Sequence, residues 1–296
     1  MSDKDTFFGT KARSINCKDS SIDFSRPKIM GVLNLTPDSF YDGGKYYQEK
    51  QRAVRVENML KEGADIIDIG AVSTRPGANM LSLDEELNRI IWPLERLVKL
   101  FPDAVFSIDT FRSQVAKECI EGGAQIINDI SGGNFDEHMF QTIADLKVPY
   151  ILMHIHGTPA QMQTTPIDVN IIDELSSFFK AKVSELRQLG VEDIILDPGF
   201  GFGKTLKCNY AILNNLEKIR IDDLPVLGGI SRKSMINKVI QTKPSEALNG
   251  TTVLNTIALL NGANILRVHD IKEAREAIEI VEFSKEIGQC EETADW

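Results

Sequence analysis

The chain has 296 residues, of which 26% are charged and 42% hydrophobic, with a formal net charge of −10. That balance is ordinary for a globular protein with a large core. The negative field argues against nonspecific nucleic-acid binding, although a local basic cluster could still take an anion. No apolar run approaches the ~20 residues of a membrane span, and residues 1–8 lack the apolar core of a secretory signal. The cysteines Cys17, Cys119, Cys208 and Cys290 form no C-x-x-C pair, which reads as free thiols in a cytoplasmic protein.

Residues 1–13 read as a tail. Segments 14–17 and 21–24 flank Lys18-Asp19-Ser20 and suit a small hairpin that could plug the bottom of a barrel. The expected division is a tail and hairpin over 1–26 and a single barrel domain over 27–296. Eight short apolar runs follow Pro27: 29–33, 66–69, 105–108, 126–127, 150–153, 194–196, 226–227 and 265–266. Between them the spacing predicts helices over 48–62, 83–100, 113–121, 168–189, 209–219, 244–260 and 272–287. Pro93 should kink or split the second of these. Strand and helix in alternation, eight times over, predict an α/β fold of the (β/α)8 TIM-barrel type.

Most runs end at, or are followed by, polar residues: Asn34, Ser73-Thr74-Arg75, Asp109, Asn128, His154, Asp197, Ser231-Arg232-Lys233, and Arg267 with His269. In such barrels the chemistry sits at the C-terminal ends of the strands. Asp109, Asn128 and Asp197 should face one mouth and form an acceptor-rich socket that a heterocycle edge bearing several N–H donors would satisfy. Helix capping is the structural alternative for each of them. Arg232, Lys233 and Arg267, with the Ser231 hydroxyl, favour a phosphorylated substrate, because the loops after strands 7 and 8 often bind phosphate in this fold. Asn34–Gly44, NLTPDSFYDGG, reads as a lid or a solvated loop.

In LDPGFGFGKT, Gly199, Gly201 and Gly203 alternate too regularly for a dinucleotide fingerprint. Pro198 stands where a P-loop needs glycine. What remains is a turn allowing close backbone approach, with Phe200 and Phe202 available to stack on a flat ring. His154 and His156 form an H-x-H pair, but zinc would need further ligands, and only His138 and His269 remain among the histidines.

The segments IMGVLNLTPDSFYDGG, DIIDIGAVSTRPGA, SIDTFR, IINDISGG, ILMHIHGTPAQMQ, ILDPGFGFGK, GGISRKS and ILRVHD resemble, in order, the motifs of the dihydropteroate synthase family of pterin-binding enzymes. The resemblance implies condensation of 6-hydroxymethyl-7,8-dihydropterin pyrophosphate with para-aminobenzoate, giving dihydropteroate and pyrophosphate in folate synthesis. It also implies a sulfonamide target and a homodimer.

Carried over by position, Asp109, Asn128, Met153, Asp197, Phe202 and Lys233 would hold the pterin. Asn34, Thr74, Arg75, Arg267 and His269 would hold pyrophosphate, with Mg2+ near Asn34. Phe40, Asp42, Thr74, Phe202 and Ser231 would shape the aminobenzoate pocket. Asp42, Arg75, Lys233 and Arg267 would carry the chemistry, Asp42 by facing a developing cation. Val72 departs from the glutamate that many members place there. A corrinoid methyltransferase using methyltetrahydrofolate, or a non-catalytic pterin-binding paralogue, are the alternatives. Neither has a use for the full set of loop and cationic residues.

Overall fold

The computed structural model describes residues 14–17, 20–35, 45–71 and 81–292. After a two-stranded antiparallel hairpin, β1 (Ile15–Cys17) and β2 (Ser20–Ile22), come eight parallel strands: β3 (Lys28–Asn34), β4 (Ile66–Gly70), β5 (Val105–Asp109), β6 (Ile126–Asp129), β7 (Tyr150–Met153), β8 (Ile194–Asp197), β9 (Leu227–Gly228) and β10 (Ile265–Val268). Their order is β8-β7-β6-β5-β4-β3-β10-β9. A parallel bridge between Leu196 and Val226 brings β8 to β9 and closes the TIM barrel.

The pleat sorts every strand into two faces. Outward residues such as Ile67, Ile69, Phe106, Ile108, Ile127, Tyr150, Leu152, Ile194 and Leu196 join the core formed with the surrounding helices. Inward residues start apolar. Met30, Ile66, Ile126, Ile151, Ile195, Leu227 and Ile265 form a separate cluster with Ile15, Cys17, Ile22 and Phe24 of the hairpin region. The hairpin thus plugs the N-terminal end of the barrel. One step further along the same inward face the residues turn polar, as in Ile66-x-Asp68, Ile126-x-Asn128, Ile195-x-Asp197 and Ile265-x-Arg267.

The helices are α1 (Lys45–Lys61), α2 (Leu83–Leu100), α3 (Ser113–Glu121), α4 (Met139–Leu146), α5 (Ile171–Gln188), α6 (Leu206–Leu213), α7 (Ser234–Ile240), α8 (Leu248–Leu260) and α9 (Ile271–Glu292). Of the kink or split expected at Pro93, the split does not occur: α2 runs through the proline. The helix starts with a complete Ser82–Glu85 capping box and buries Ile90, Pro93, Leu94 and Leu97. Packing of that face outweighs the one backbone hydrogen bond that proline removes.

The helix expected over 209–219 instead divides into α6 and a 3-10 turn over Leu216–Ile219. That expected over 244–260 likewise divides into a 3-10 turn, Pro244–Glu246, and α8. Helices α4 and α7 were not expected, being too short to show a helical period. Cys17, Cys119 and Cys208 are free and buried. No helix among the described residues is long and apolar enough to cross a membrane.

Candidate functional site

The inward polar residues meet above the apolar plug. Strand register places Gly70 beside Asp109 and Asp109 beside Asn128, while Met153 pairs with Asp197. Arg267 reaches across the barrel from β10. Its Nε donates to Asp68 Oδ2 at 2.7 Å and its second amino nitrogen to Asp109 Oδ2 at 2.8 Å. Asn128 Nδ2 also donates to Asp68 Oδ2, at 3.0 Å. Asp68, Asn128, Asp109 and Arg267 therefore form one connected polar layer. Burial alone would lower the Arg267 pKa, but Asp68 and Asp109 hold it above its ordinary value. Burial raises the Asp109 carboxyl to about 7, against the pull of Arg267.

Asp197 and Lys233 form the opposite side. Asp197 Oδ1 accepts the Gly199 N–H at 2.7 Å. Burial raises its pKa, while Lys233 works in the other direction. Lys233 Nζ donates to the Phe200 carbonyl at 2.6 Å and lies 4.9 Å from the Phe202 ring centroid. Burial lowers this amine to about 8 although Asp197 favours its charged form. Gly229 leaves the space between them open. A Cβ there would lie 3.7 Å from Lys233 Nζ and 3.8 Å from Asp197 Oδ2, so a longer side chain would crowd the pair. Met153, Phe111, Ile130, Ile155 and Met162, with Phe135 and Phe202 against them, make an apolar wall beside the polar groups.

The rim carries the third set of residues. Ser231 Oγ lies 3.0 Å from His269 Nδ1 and accepts the His269 backbone N–H at 3.2 Å. Burial, then the neighbouring Arg267, pushes His269 down to about 4, so the ring is neutral at pH 7. Asn34 is exposed at the end of β3 and pairs in register with Gly70. Among the described residues no group of three or more His, Cys, Asp or Glu could hold a metal ion.

Several expected residues go elsewhere. Arg232 does not join the cationic cluster. It adopts a left-handed backbone (φ 56°) and binds Asp270 with both ends of its guanidinium, at 2.9 and 2.7 Å. Phe200 cannot stack on a ligand, because it is fully buried in the outer core, leaving Phe202 alone. His154 is a core histidine packed edge-on to Phe178 at 4.9 Å, and burial lowers it to about 3. Phe40, Asp42, Val72, Thr74 and Arg75 lie outside the described residues.

Three buried residues that shape the site escape the sequence patterns. Asp68 sits inside what reads as an apolar run, and only a carboxylate among isoleucines signals it. Lys204 is buried with its amine donating to the carbonyls of His154, Gly199 and Phe202, at 3.1, 2.9 and 3.0 Å. It pins the glycine turn against the β7 loop. The turn itself needs glycine, since a Cβ on Gly199 (φ 65°) would stand 2.0 Å from the His154 carbonyl. Glu86 of α2 is fully buried, accepts the Thr110 hydroxyl at 2.7 Å and pairs with Arg112. It holds the loop after Asp109 in place.

Residues 30–269 match the family described as pterin binding enzyme. The chain belongs to the pterin-binding enzyme family.

The dihydropteroate synthase of Escherichia coli K12 is 41% identical over 265 residues, covering 89% of this chain and 93% of that protein. That of Synechocystis is 42% identical over 260 residues, with coverage of 87% and 90%. Among solved structures, Yersinia pestis dihydropteroate synthase with a sulfonamide drug complex superposes with a TM-score of 0.86 at 38% identity, covering 93% of this chain and 100% of that one. The Burkholderia cenocepacia enzyme complexed with 7,8-dihydropteroate gives 0.83 at 34% identity, with coverage of 94% and 98%. The chain therefore shares its fold with these dihydropteroate synthases over nearly its whole length.

Proposed function

We infer that the chain is a transferase of folate synthesis, joining 6-hydroxymethyl-7,8-dihydropterin pyrophosphate to para-aminobenzoate with release of pyrophosphate. The observation that carries this reading is the acceptor-rich layer of Asp109, Asn128 and Asp197 beside Lys233, in a chain whose relatives are dihydropteroate synthases. The 2-amino-4-oxo edge of a pterin offers N–H donors to the three acceptors and an oxo group to Lys233. Met153 and Phe202 supply apolar contact for the ring faces.

Arg267 and His269 favour the pyrophosphate side, with Asn34, Thr74 and Arg75 assigned there by motif. His269 would act as a neutral donor. Phe40, Thr74, Ser231 and Phe202 are proposed for the aminobenzoate. Asp42 is proposed to face the cation that develops at the pterin methylene as pyrophosphate leaves, before the weakly nucleophilic aromatic amine attacks.

Mg2+ fits this arrangement. The exposed Asn34 amide oxygen is a hard donor at the rim, and Mg2+ commonly takes few protein ligands beside substrate phosphates and water. Bound there, it would neutralise charge on the leaving group. The proposed assembly is a homodimer. Val253 and Leu260 of α8, and Ile280, Phe283 and Ile287 of α9, are all exposed, and the last three line an open groove. Light scattering giving a monomer at micromolar concentration would reject it. The reaction is tested by a coupled assay for dihydropteroate and pyrophosphate from the two substrates. Absence of both products rejects the function.

A further inference from the structure

Asp68 is fully buried in the middle of the barrel, on the inward face of β4, two residues below Gly70. A buried carboxylate costs stability unless it is paired. Arg267 and Asn128 both donate to the same oxygen, Oδ2, while Oδ1 is buried without a hydrogen-bond partner among the described residues. Such an incompletely satisfied group asks for a reason beyond stability.

We propose that Asp68 is a positioning residue that fixes which end of the Asn128 amide the pterin socket shows to its ligand. A carboxylate ion-paired to Arg267 can only accept hydrogen bonds. An amide oxygen 3.0 Å from it would put two lone-pair atoms in contact, so Asn128 must turn Nδ2 towards Asp68. Orientation of the amide follows from the chemistry of the neighbour. The amide oxygen is then turned away from Asp68 and left for a ligand.

The consequence is a socket that offers acceptors only at this point. A ligand group with an N–H is welcomed, and one with a lone pair is refused, which converts a versatile amide into a one-way reader. Asp68 touches no ligand in this scheme and acts through Asn128. The inference rests on the reading that the mouth binds pterin.

The test compares two ligands by calorimetry, 6-hydroxymethylpterin and its 2,4-dioxo counterpart, in which the 2-amino donor is replaced by an oxo acceptor. Wild-type enzyme should bind the first and strongly refuse the second. Asp68→Asn can either donate to or accept from Asn128, so the amide regains its freedom. The affinity ratio of the two ligands should narrow at least tenfold. In an Asn128→Ala background the same Asp68→Asn change should alter the ratio by less than twofold.

Equal weakening of both ligands would reduce Asp68 to a structural residue and overturn the proposal, as would a narrowing that persists without Asn128. A wild-type enzyme that binds neither ligand would instead overturn the pterin reading beneath it. Should Asp68→Asn fail to fold, the wild type gives a second test. The Asn128 side-chain amide resonances, assigned by their loss in Asn128→Ala, should stay put and protected from exchange when pterin binds. A large shift would place those protons on the ligand and refute the orientation.

Discussion

The two ends of the barrel interior are made by the same strands and the same pleat, yet they obey different rules. At the N-terminal end Ile66, Ile126, Ile151, Ile195 and Ile265 close on Ile15, Cys17, Ile22 and Phe24. At the C-terminal end the next inward residues are Asp68, Asn128, Met153, Asp197 and Arg267, and charges are held by one another. Burial that stabilises the lower layer perturbs every titratable group of the upper one for which a shift is resolved. The lower layer supplies folding free energy, and part of it is expended in keeping the upper layer dry and preorganised.

Two substitutions on one face of β8 test that division most directly. Ile195→Ala should lower stability by roughly 2–5 kcal/mol, the usual cost of emptying a packed core site, while folded protein keeps pterin pyrophosphate affinity within about twofold. Asp197→Ala, one layer up, should do the reverse. Losing one partner of a charge-assisted pair costs on the order of 2–5 kcal/mol of binding, so affinity should drop at least tenfold with little loss of thermal stability. Calorimetry and thermal melts read both, and matching effects from the two variants would erase the distinction.

Asp42→Asn sharpens the comparison within the upper end, between holding substrate and passing the transition state. Turnover should fall by roughly 10²–10³, the usual cost of losing one preorganised electrostatic stabiliser, with pterin pyrophosphate affinity nearly unchanged. An unchanged kcat with chemistry rate-limiting would return Asp42 to an ordinary turn residue.

Binding order should produce a smaller effect. Para-aminobenzoate, or a sulfonamide, should bind the free enzyme poorly and gain about tenfold or more when Mg2+ and pyrophosphate are present. Equal affinity in both conditions would break the ordered scheme.

The pH response is the mildest. Asp109 ionises near 7 in the folded chain, against about 4 in an unfolded one. Between those values the native state binds the extra proton, so this group's contribution to stability declines as pH rises from about 4 to 7. Pterin affinity should move the opposite way, rising over the upper part of the window as Asp109 becomes an acceptor. Asp109→Asn should flatten the stability trend, and melts across that range decide it.

Much of this was legible because parallel strands are buried on both faces and read as apolar runs. The polar residues at or just after the ends of those runs mark Asp109, Asn128, Asp197 and Arg267 from the sequence alone. The same two-sided burial hid Asp68, which looks like an interruption in a run, and its partner Arg267 lies 199 residues away. Phe200 and Phe202 looked equivalent, as did Arg232 and Lys233. Backbone direction separates them: φ 56° at Arg232 swings its side chain to Asp270, while Lys233 turns to the mouth. Such choices depend on local dihedrals that residue types alone do not declare.

Strict alternation along the strands also constrains how the gene can change. Inserting or deleting one codon within β6 would exchange Asn128 for Ile127 or Asp129 on the inward face. Asp129 is now committed outward, accepting the Tyr150 hydroxyl at 2.6 Å and the Ser131 amide at 2.7 Å. A single frame-preserving indel would thus spoil the socket and the outer core together. Length variation among descendants of this sequence should therefore accumulate in the loops, and drift within the strands should proceed by substitution alone.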